Sequence, residues 1–306
     1  MMTRWKRRAV QTVFDRFMRW RLPDLLQPDY PVILKYPVRP QPRYGDGKPP
    51  HTELAALFAR HDAAYLDTLR ALATRTEPLT RVEDTQQNVS PGDPHWHNIF
   101  FSALDAIALY GLLGMRAPAR YVEIGSGHST RFARRAVEDF GLRTEIVSVD
   151  PHPRAEIDAI CDRVIRQPLE DVDTAMLTGL AAGDMLFLDS SHVTFENSDV
   201  TVFFLEVLPR LRAGVTVHIH DIFLPFDYPR EWTDRHYSEQ YLLAAYLLGG
   251  ANRVRIVLPL AYVSRQPQLA AAVDALWPHP RFQHAFADYR QLTGGYLGTS
   301  LWLEIV

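Results

Sequence analysis

Apolar residues recur along this chain in two patterns. Tyr121 to Ile124, Ile146 to Val149, Met185 to Leu188, Val215 to Ile219 and Val254 to Leu258 are short, predominantly apolar runs, the form taken by strands covered on both faces. A shorter candidate strand lies around Val164 to Arg166. Between the runs, Ser129 to Phe140, Asn197 to Leu211 and Ser238 to Leu248 place apolar residues at helical spacing, as do Trp96 to Leu113 ahead of them, with a stop expected near Gly114. This alternation predicts an α/β fold with a doubly wound parallel sheet.

Ahead of this region the pattern changes. Residues 3 to 21 carry seven arginines and lysines against Asp15 alone, with Trp5, Val10, Val13, Phe14, Phe17 and Met18 on one helical face. Such a helix either docks on the protein's own body, forms a homo-oligomer contact or lies peripherally on a membrane. Gln27 to Pro50 is rich in proline and is expected to run as irregular chain, and Thr52 to Thr74 reads as a helix. The expected division is therefore a helical and irregular extension over residues 1–90 and a main domain over 91–306.

Composition narrows the function. A net charge of −3 over 306 residues supplies no global basic field for nucleic acid. The single cysteine, Cys161, excludes an internal disulfide and a cysteine-rich zinc cluster. No apolar run approaches the roughly 20 residues needed to span a bilayer, and the start lacks a signal-peptide pattern, so a cytoplasmic protein is expected.

Ligands of doubly wound sheets bind beyond the carboxyl ends of the strands, and here those ends are polar: Glu123 with Gly125, Asp150, Asp189, and His220 with Asp221. Gly125-Ser126-Gly127-His128-Ser129 joins a strand to a helix whose first amides suit a carboxylate or a phosphate. A dinucleotide fingerprint calls for a third small residue where Thr130 stands and requires no acid at Glu123. S-adenosylmethionine (SAM) matches better, because its methionine part is a zwitterion and Asp150 can accept from two ribose hydroxyls.

Tyr-Val-Glu123-Ile-Gly125-Ser-Gly127-His-Ser129, followed by Val-Ser-Val-Asp150-Pro, resembles the first two motifs of class I SAM-dependent methyltransferases, and the likeness extends over residues 94 to 306. It implies a Rossmann-like, seven-stranded, mostly parallel sheet whose last strand, Ser300 to Val306, runs antiparallel beside the fifth. By this likeness Glu123, Gly125, Ser126, Gly127, Ser129 and Asp150 belong to the SAM pocket, with the segment of Trp96 and Asn98 capping it.

Asp189-Ser190-Ser191-His192 and His218-Ile219-His220-Asp221 follow adjacent strands and bring carboxylates and imidazoles to one place. Asp189 and Asp221, with His220, form a candidate site for a divalent cation such as magnesium, and His192 is a candidate base. Asp189 and His192 are similar to the acid and histidine of metal-dependent O-methyltransferases acting on sugars and natural products. Those enzymes carry two adjacent ligands after the fifth strand, whereas Asp221 is followed by Ile222. Phe223 to Trp232 is an aromatic, proline-rich candidate wall or lid, and Arg235, His236 and Tyr237 are further pocket candidates. The expected activity is O-methylation of a small molecule or glycan. An NAD-dependent oxidoreductase and a non-catalytic SAM-fold binding module are the alternatives.

Overall fold

The computed structural model describes residues 38–306 apart from Ala251, so the basic stretch 3–21 and the first part of the proline-rich segment lie outside the described residues. The sheet belongs to the compact unit Gln41–Val306. Among the described residues no helix is long and apolar enough to cross a membrane.

The seven strands are β1 (Arg120–Ile124), β2 (Glu145–Val149), β3 (Arg163–Ile165), β4 (Met185–Leu188), β5 (Thr216–Ile219), β6 (Val254–Pro259) and β7 (Leu301–Ile305), in the order β3-β2-β1-β4-β5-β7-β6. The first five run parallel, and β7 is antiparallel to both of its neighbours. Every expected strand is present. The register explains how a site forms: Ile124 pairs with Val149 and Leu188, and Leu188 pairs with Ile219. The residues that follow, Gly125, Asp150, Asp189 and His220, therefore emerge side by side along one edge.

The helices are α1 (Thr52–Ala59), α2 (Asp62–Ala73), α3 (Ala103–Arg116), α4 (His128–Asp139), α5 (Ala175–Thr178), α6 (Asp199–Val202), α7 (Glu239–Leu248), α8 (Leu260–Arg265), α9 (Pro267–Leu276) and α10 (Pro280–Thr293). Leu54, Phe58, Tyr65, Leu69 and Leu72 of α1 and α2 join the same core as the sheet, so the expected division near residue 91 passes through one packed body. Gly111 and Gly114 let α3 approach closely, since a Cβ there would lie 2.4 Å from Leu72 and 2.3 Å from Phe140.

Three segments differ from the hydrophobic pattern. The helix expected from Trp96 begins only at Ala103, because Asn98 accepts from the amides of Phe100 and Phe101 at 3.3 and 2.7 Å and donates to the His95 carbonyl, which replaces helical bonding with a side-chain turn. The helix expected over Asn197 to Leu211 passes from α6 into a π turn at Phe203–Val207 and a 3-10 turn at Leu208–Arg210, where Pro209 lacks the amide an α-helix would use. Helices α8, α9 and α10 had no sequence counterpart. The apolar run from Val254 leads without a polar break from β6 into α8, so periodicity does not mark the boundary.

Candidate active site

The loop after β1 is fixed from below. Glu123 is fully buried and accepts from the hydroxyls of Tyr121, at 2.6 Å, and Thr130. Thr130 also accepts from the Gly127 amide at 3.0 Å. Thus Thr130, the residue that spoils a dinucleotide fingerprint, ties the loop to the acid. Burial pushes Glu123 up to about 7, against the lowering effect of hydrogen bonds from Thr130, Tyr121 and Ser129.

Gly125 has φ +81°, and a Cβ there would lie 1.7 Å from the Asp189 carbonyl oxygen. Glycine is thus required by both backbone conformation and the close approach of the next strand end. At Gly127 an added Cβ meets only ordinary contacts, the nearest at 3.7 Å. The Ser126 amide donates to Asp150 Oδ2 at 2.8 Å, and the His152 amide to Asp150 Oδ1 at 2.7 Å. Ser126 and Ser148 hydroxyls meet at 2.8 Å.

A cavity of about 340 Å³ opens above these groups, lined by Gly125, Ser126, Gly127, Ser129, Asp150 and Asp189 among others. Glu123 does not line it and sits one layer beneath. A second cavity of about 240 Å³ shares Phe100, Arg154 and Asp189 with the first and continues to His220, Asp221, Trp232, Arg235 and Tyr237. The Arg235 guanidinium lies 3.7 Å from the centre of the Trp232 ring. Of the aromatic loop, Trp232 faces this cavity, while Phe223, Tyr228 and Tyr296 pack with it in a small core of their own.

The strand-end acids and histidines converge as their order implied. One ligand atom each from Asp189, His220 and Asp221 lies within 4.8 Å of the others. His220 Nδ1 is 3.4 Å from Asp189 Oδ1 and 3.5 Å from Asp221 Oδ1, yet both its ring nitrogens are buried without a hydrogen-bond partner. The adjacent pair after β5 is therefore His220 with Asp221, rather than Asp221 with the residue after it.

His192 stands behind the carboxylates and lines neither cavity. Its Nδ1 meets Glu239 Oε2 at 2.8 Å, and its Nε2 lies 3.1 Å from Asp189 Oδ1 and 3.7 Å from Asp221 Oδ2. His192 and Asp221 both adopt left-handed backbone, φ 59° and 55°, which non-glycine residues seldom take and which costs of order 1–3 kcal/mol each. Desolvation would lower both His192 and His220, but neighbouring carboxylates hold them well above the ordinary imidazole range. Burial works to raise Asp189, whereas His220 and His192 hold it well below the usual carboxylate range. Asp221 is pushed up, by burial first.

Sequence reading missed the supports of this cluster. Asp105, fully buried on α3, accepts from Tyr289 at 2.7 Å and from the amides of Thr299 and Ser300, and lies 3.7 Å from His220 Nε2. An acid inside an otherwise apolar helix was its available signal. Glu239 lies in the first turn of α7, where an acid is common and gives no such signal. His218 shares the His220 face but stacks on Trp302 at 3.8 Å and bonds Ser300 Oγ at 2.7 Å. Burial holds it well below the ordinary imidazole range, so it is a packed core histidine. His97 is exposed beside Asp288, and His236 is exposed at the end of a short turn.

Residues 122–222 match the family model described as a methyltransferase domain, the span from β1 through the cluster at Asp221. No curated protein matches the chain. Among solved structures, an S-adenosylhomocysteine (SAH)-bound methyltransferase from Podospora anserina is 17% identical, with 70% of this chain and 93% of that one covered at a TM-score of 0.37. An O-methyltransferase from Bacillus cereus in complex with SAH is 14% identical, with 84% and 96% covered at 0.33. The plantazolicin methyltransferase BamL, solved with a substrate analogue and SAH, is 10% identical, with 82% and 98% covered at 0.38.

Proposed function

We propose that this chain, a class I SAM-dependent methyltransferase by its domain match and strand order, transfers the methyl group to a hydroxyl of a small molecule or glycan. The observation that carries this reading is the pair of joined cavities: one over the glycine loop and Asp150, the other over Asp189, His220 and Asp221, with Asp189 in the wall of both. Gly125, Ser126, Gly127, Ser129 and Asp150 hold the cofactor, and Glu123 acts beneath them by fixing the loop. The acceptor lies against Trp232, Tyr237 and Arg235.

Transfer is an in-line displacement in which the acceptor oxygen forms a bond to the methyl carbon as the carbon–sulfur bond breaks, leaving SAH. The hydroxyl must give up its proton. Asp189, His220 and Asp221 fit a divalent cation, because two carboxylates converge on a buried imidazole nitrogen that has no other partner. Such an ion would lower the pKa of a bound hydroxyl. His192, oriented by Glu239 and 3.1 Å from Asp189, would take the proton at Nε2 with the ion in place, because a cation on Asp189 and Asp221 would offset the carboxylate charge that otherwise keeps the ring protonated. A second reading, favoured by the raised Asp221 carboxyl beside His220 in the acceptor cavity, needs no metal: Asp221 takes the proton directly while the protonated His220 donates to the acceptor oxygen.

Isothermal titration with SAH, on the wild type and on Asp150→Ala, tests the cofactor site. Binding weakened about 10- to 100-fold in the variant is expected for loss of charge-assisted hydrogen bonds; equal affinity in both would remove Asp150 from the site. An acceptor screen with and without chelator then separates the two readings of His220.

A further inference from the structure

The acceptor cavity carries opposite charges at its two ends. His220 and Asp221 are buried at the inner end, whereas Arg154 and Arg235, which line the same cavity, are exposed and mark its mouth. Among the described residues neither guanidinium pairs with a carboxylate or donates a hydrogen bond, and each rests on aromatic rings instead: Arg235 over Trp232 at 3.7 Å and 5.6 Å from Tyr237, Arg154 over Phe100 at 5.0 Å. Elsewhere on the same body Arg116, Arg120, Arg134 and Arg290 each hold a carboxylate at 2.7 or 2.8 Å. Trp232 is itself buried against Phe223, ring centres 5.1 Å apart, so the platform under Arg235 is fixed. Stacking covers the face of a guanidinium and leaves its in-plane N–H donors free. The charge is thus positioned without being neutralised.

Size and charge limit what can enter. The cavity, about 240 Å³, falls below the roughly 300–1,000 Å³ of pockets for drug-sized ligands, so it suits a single ring rather than an oligosaccharide. Phe100, Trp232 and Tyr237 give that ring flat apolar walls. At the inner end the carboxylates of Asp189, Asp221, Asp105 and Glu239 outnumber the imidazoles of His192 and His220. Such an end does not attract an anion, and two free guanidiniums do. An acceptor with a charged end and an uncharged hydroxyl is therefore turned with its hydroxyl inward, toward the reacting groups.

We propose that the acceptor is a small hydroxylated ring compound carrying an oxyanion, a carboxylate or a phosphate ester, and that Arg235, assisted by Arg154, selects it. This rests on the reading of the site as one that methylates a hydroxyl. Arg235 is the cleaner probe, because Arg154 also lines the cofactor cavity and Arg235 does not.

The test titrates SAH-saturated protein, with magnesium present, with 4-hydroxybenzoate, its methyl ester, 4-hydroxyphenyl phosphate and methyl glucoside, and follows methyl transfer from SAM to each. At least one of the two anions should bind about 10-fold or more tighter than the ester, the scale of a charge-assisted hydrogen bond; which of them does so tells carboxylate from phosphate. The preference should shrink as salt rises, because both arginines are exposed. Arg235→Gln should remove most of it while ester binding and SAH affinity stay within about threefold, and Arg235→Lys should keep part, having the charge without the planar fork. The proposal is overturned if the ester binds as tightly as both anions, if the glucoside is preferred to them, if none of the four binds, or if the preference survives in Arg235→Gln. Equal loss of anion and ester in that variant would make Arg235 a prop for Trp232 and overturn it too. Transfer to the ester or glucoside alone would sink the anion subsite and leave hydroxyl methylation standing. Anion binding that depends on Arg235, with no transfer to any hydroxyl, would do the reverse.

Discussion

The cofactor half and the acceptor half of this site are built from the same kind of strand end but are finished differently. Around β1 and β2 the groups that fix the glycine loop are satisfied within the protein: Glu123 by Tyr121 and Thr130, Ser126 by Ser148, Asp150 by two amides, and the unpartnered atoms of the cavity wall on that side, His128 Nδ1 and Glu170 Oε2, lie outside the loop's own network. Around β4 and β5, His220 has two unpartnered nitrogens, and His192 Nε2, Ser190 Oγ and Glu239 Oε1 are also buried without hydrogen bonds. Left-handed backbone occurs there at His192 and Asp221. Satisfied groups keep a shape in the absence of ligand, whereas unsatisfied and strained ones are tolerated where a ligand or ion completes them. The first half is a preformed seat, and the second is chemistry waiting for its partners.

The comparison breaks most severely at Gly125, where the two halves touch. Gly125→Ala places a Cβ against the Asp189 carbonyl and forces φ +81° on an alanine. A destabilisation of about 2–5 kcal/mol is expected from overpacking and backbone strain together. Thermal unfolding should show it, with SAH binding lost in titration. Near-normal melting and binding would mean that the loop is not as rigid as its contacts imply.

Next in size are effects confined to the acceptor half. His220→Asn should lower kcat/KM about 10²- to 10⁴-fold, the range for loss of acid–base or cation-assisted proton removal, while SAH affinity changes by less than about threefold because the cofactor seat is satisfied on its own. His192→Asn should lower turnover as well, and to a similar extent if His192 and His220 serve one proton path. If His220→Asn weakens SAH as much as it slows turnover, the division into two halves fails. A chelator that abolishes activity in the wild type without changing SAH affinity would sharpen it.

The same difference governed what could be read from the sequence. The loop and Asp150 are local in sequence: Glu123 to Ser129 is seven residues long and Asp150 follows the next strand, so strand order together with the likeness to the methyltransferase motifs is enough to draw them together. The acceptor half is assembled from distant elements. Asp189, His192, His220 and Asp221 were visible because they end strands, but the groups that hold them, Asp105 on α3, Glu239 on α7 and Thr299 before β7, come from elements whose order in space depends on the whole sheet. Asp105 was legible only as an oddity in an apolar helix. Phe100 and Arg154, shared by both cavities, belong to irregular segments with no periodicity. The insertion between β6 and β7 was lost because a strand runs directly into a helix, and binary pattern marks boundaries only where polarity changes.

The mildest prediction concerns Glu123, the group on which the preformed seat depends. Its carboxyl is held at about 7 by burial, despite three hydrogen bonds that lower it, while in the unfolded chain it titrates near about 4.3. Between these values the folded protein holds a proton that the unfolded chain has released, so stability falls as pH rises through this window, by at most about 1.4 kcal/mol per pH unit. Above about 7 both states are ionised, and the penalty stays constant. Glu123→Gln preserves the shape and removes the titration. Near pH 4 the two proteins should melt alike, apart from any cost of mispairing with Tyr121 and Thr130; by pH 8 the variant should have gained relative to the wild type. Because Glu123 does not line the cavity, SAH affinity should fall by less than about threefold. A large loss of SAH affinity with no change in the pH profile would reverse the assignment: Glu123 would then contact the cofactor ammonium itself, and the first half of the site, like the second, would be completed only by its ligand.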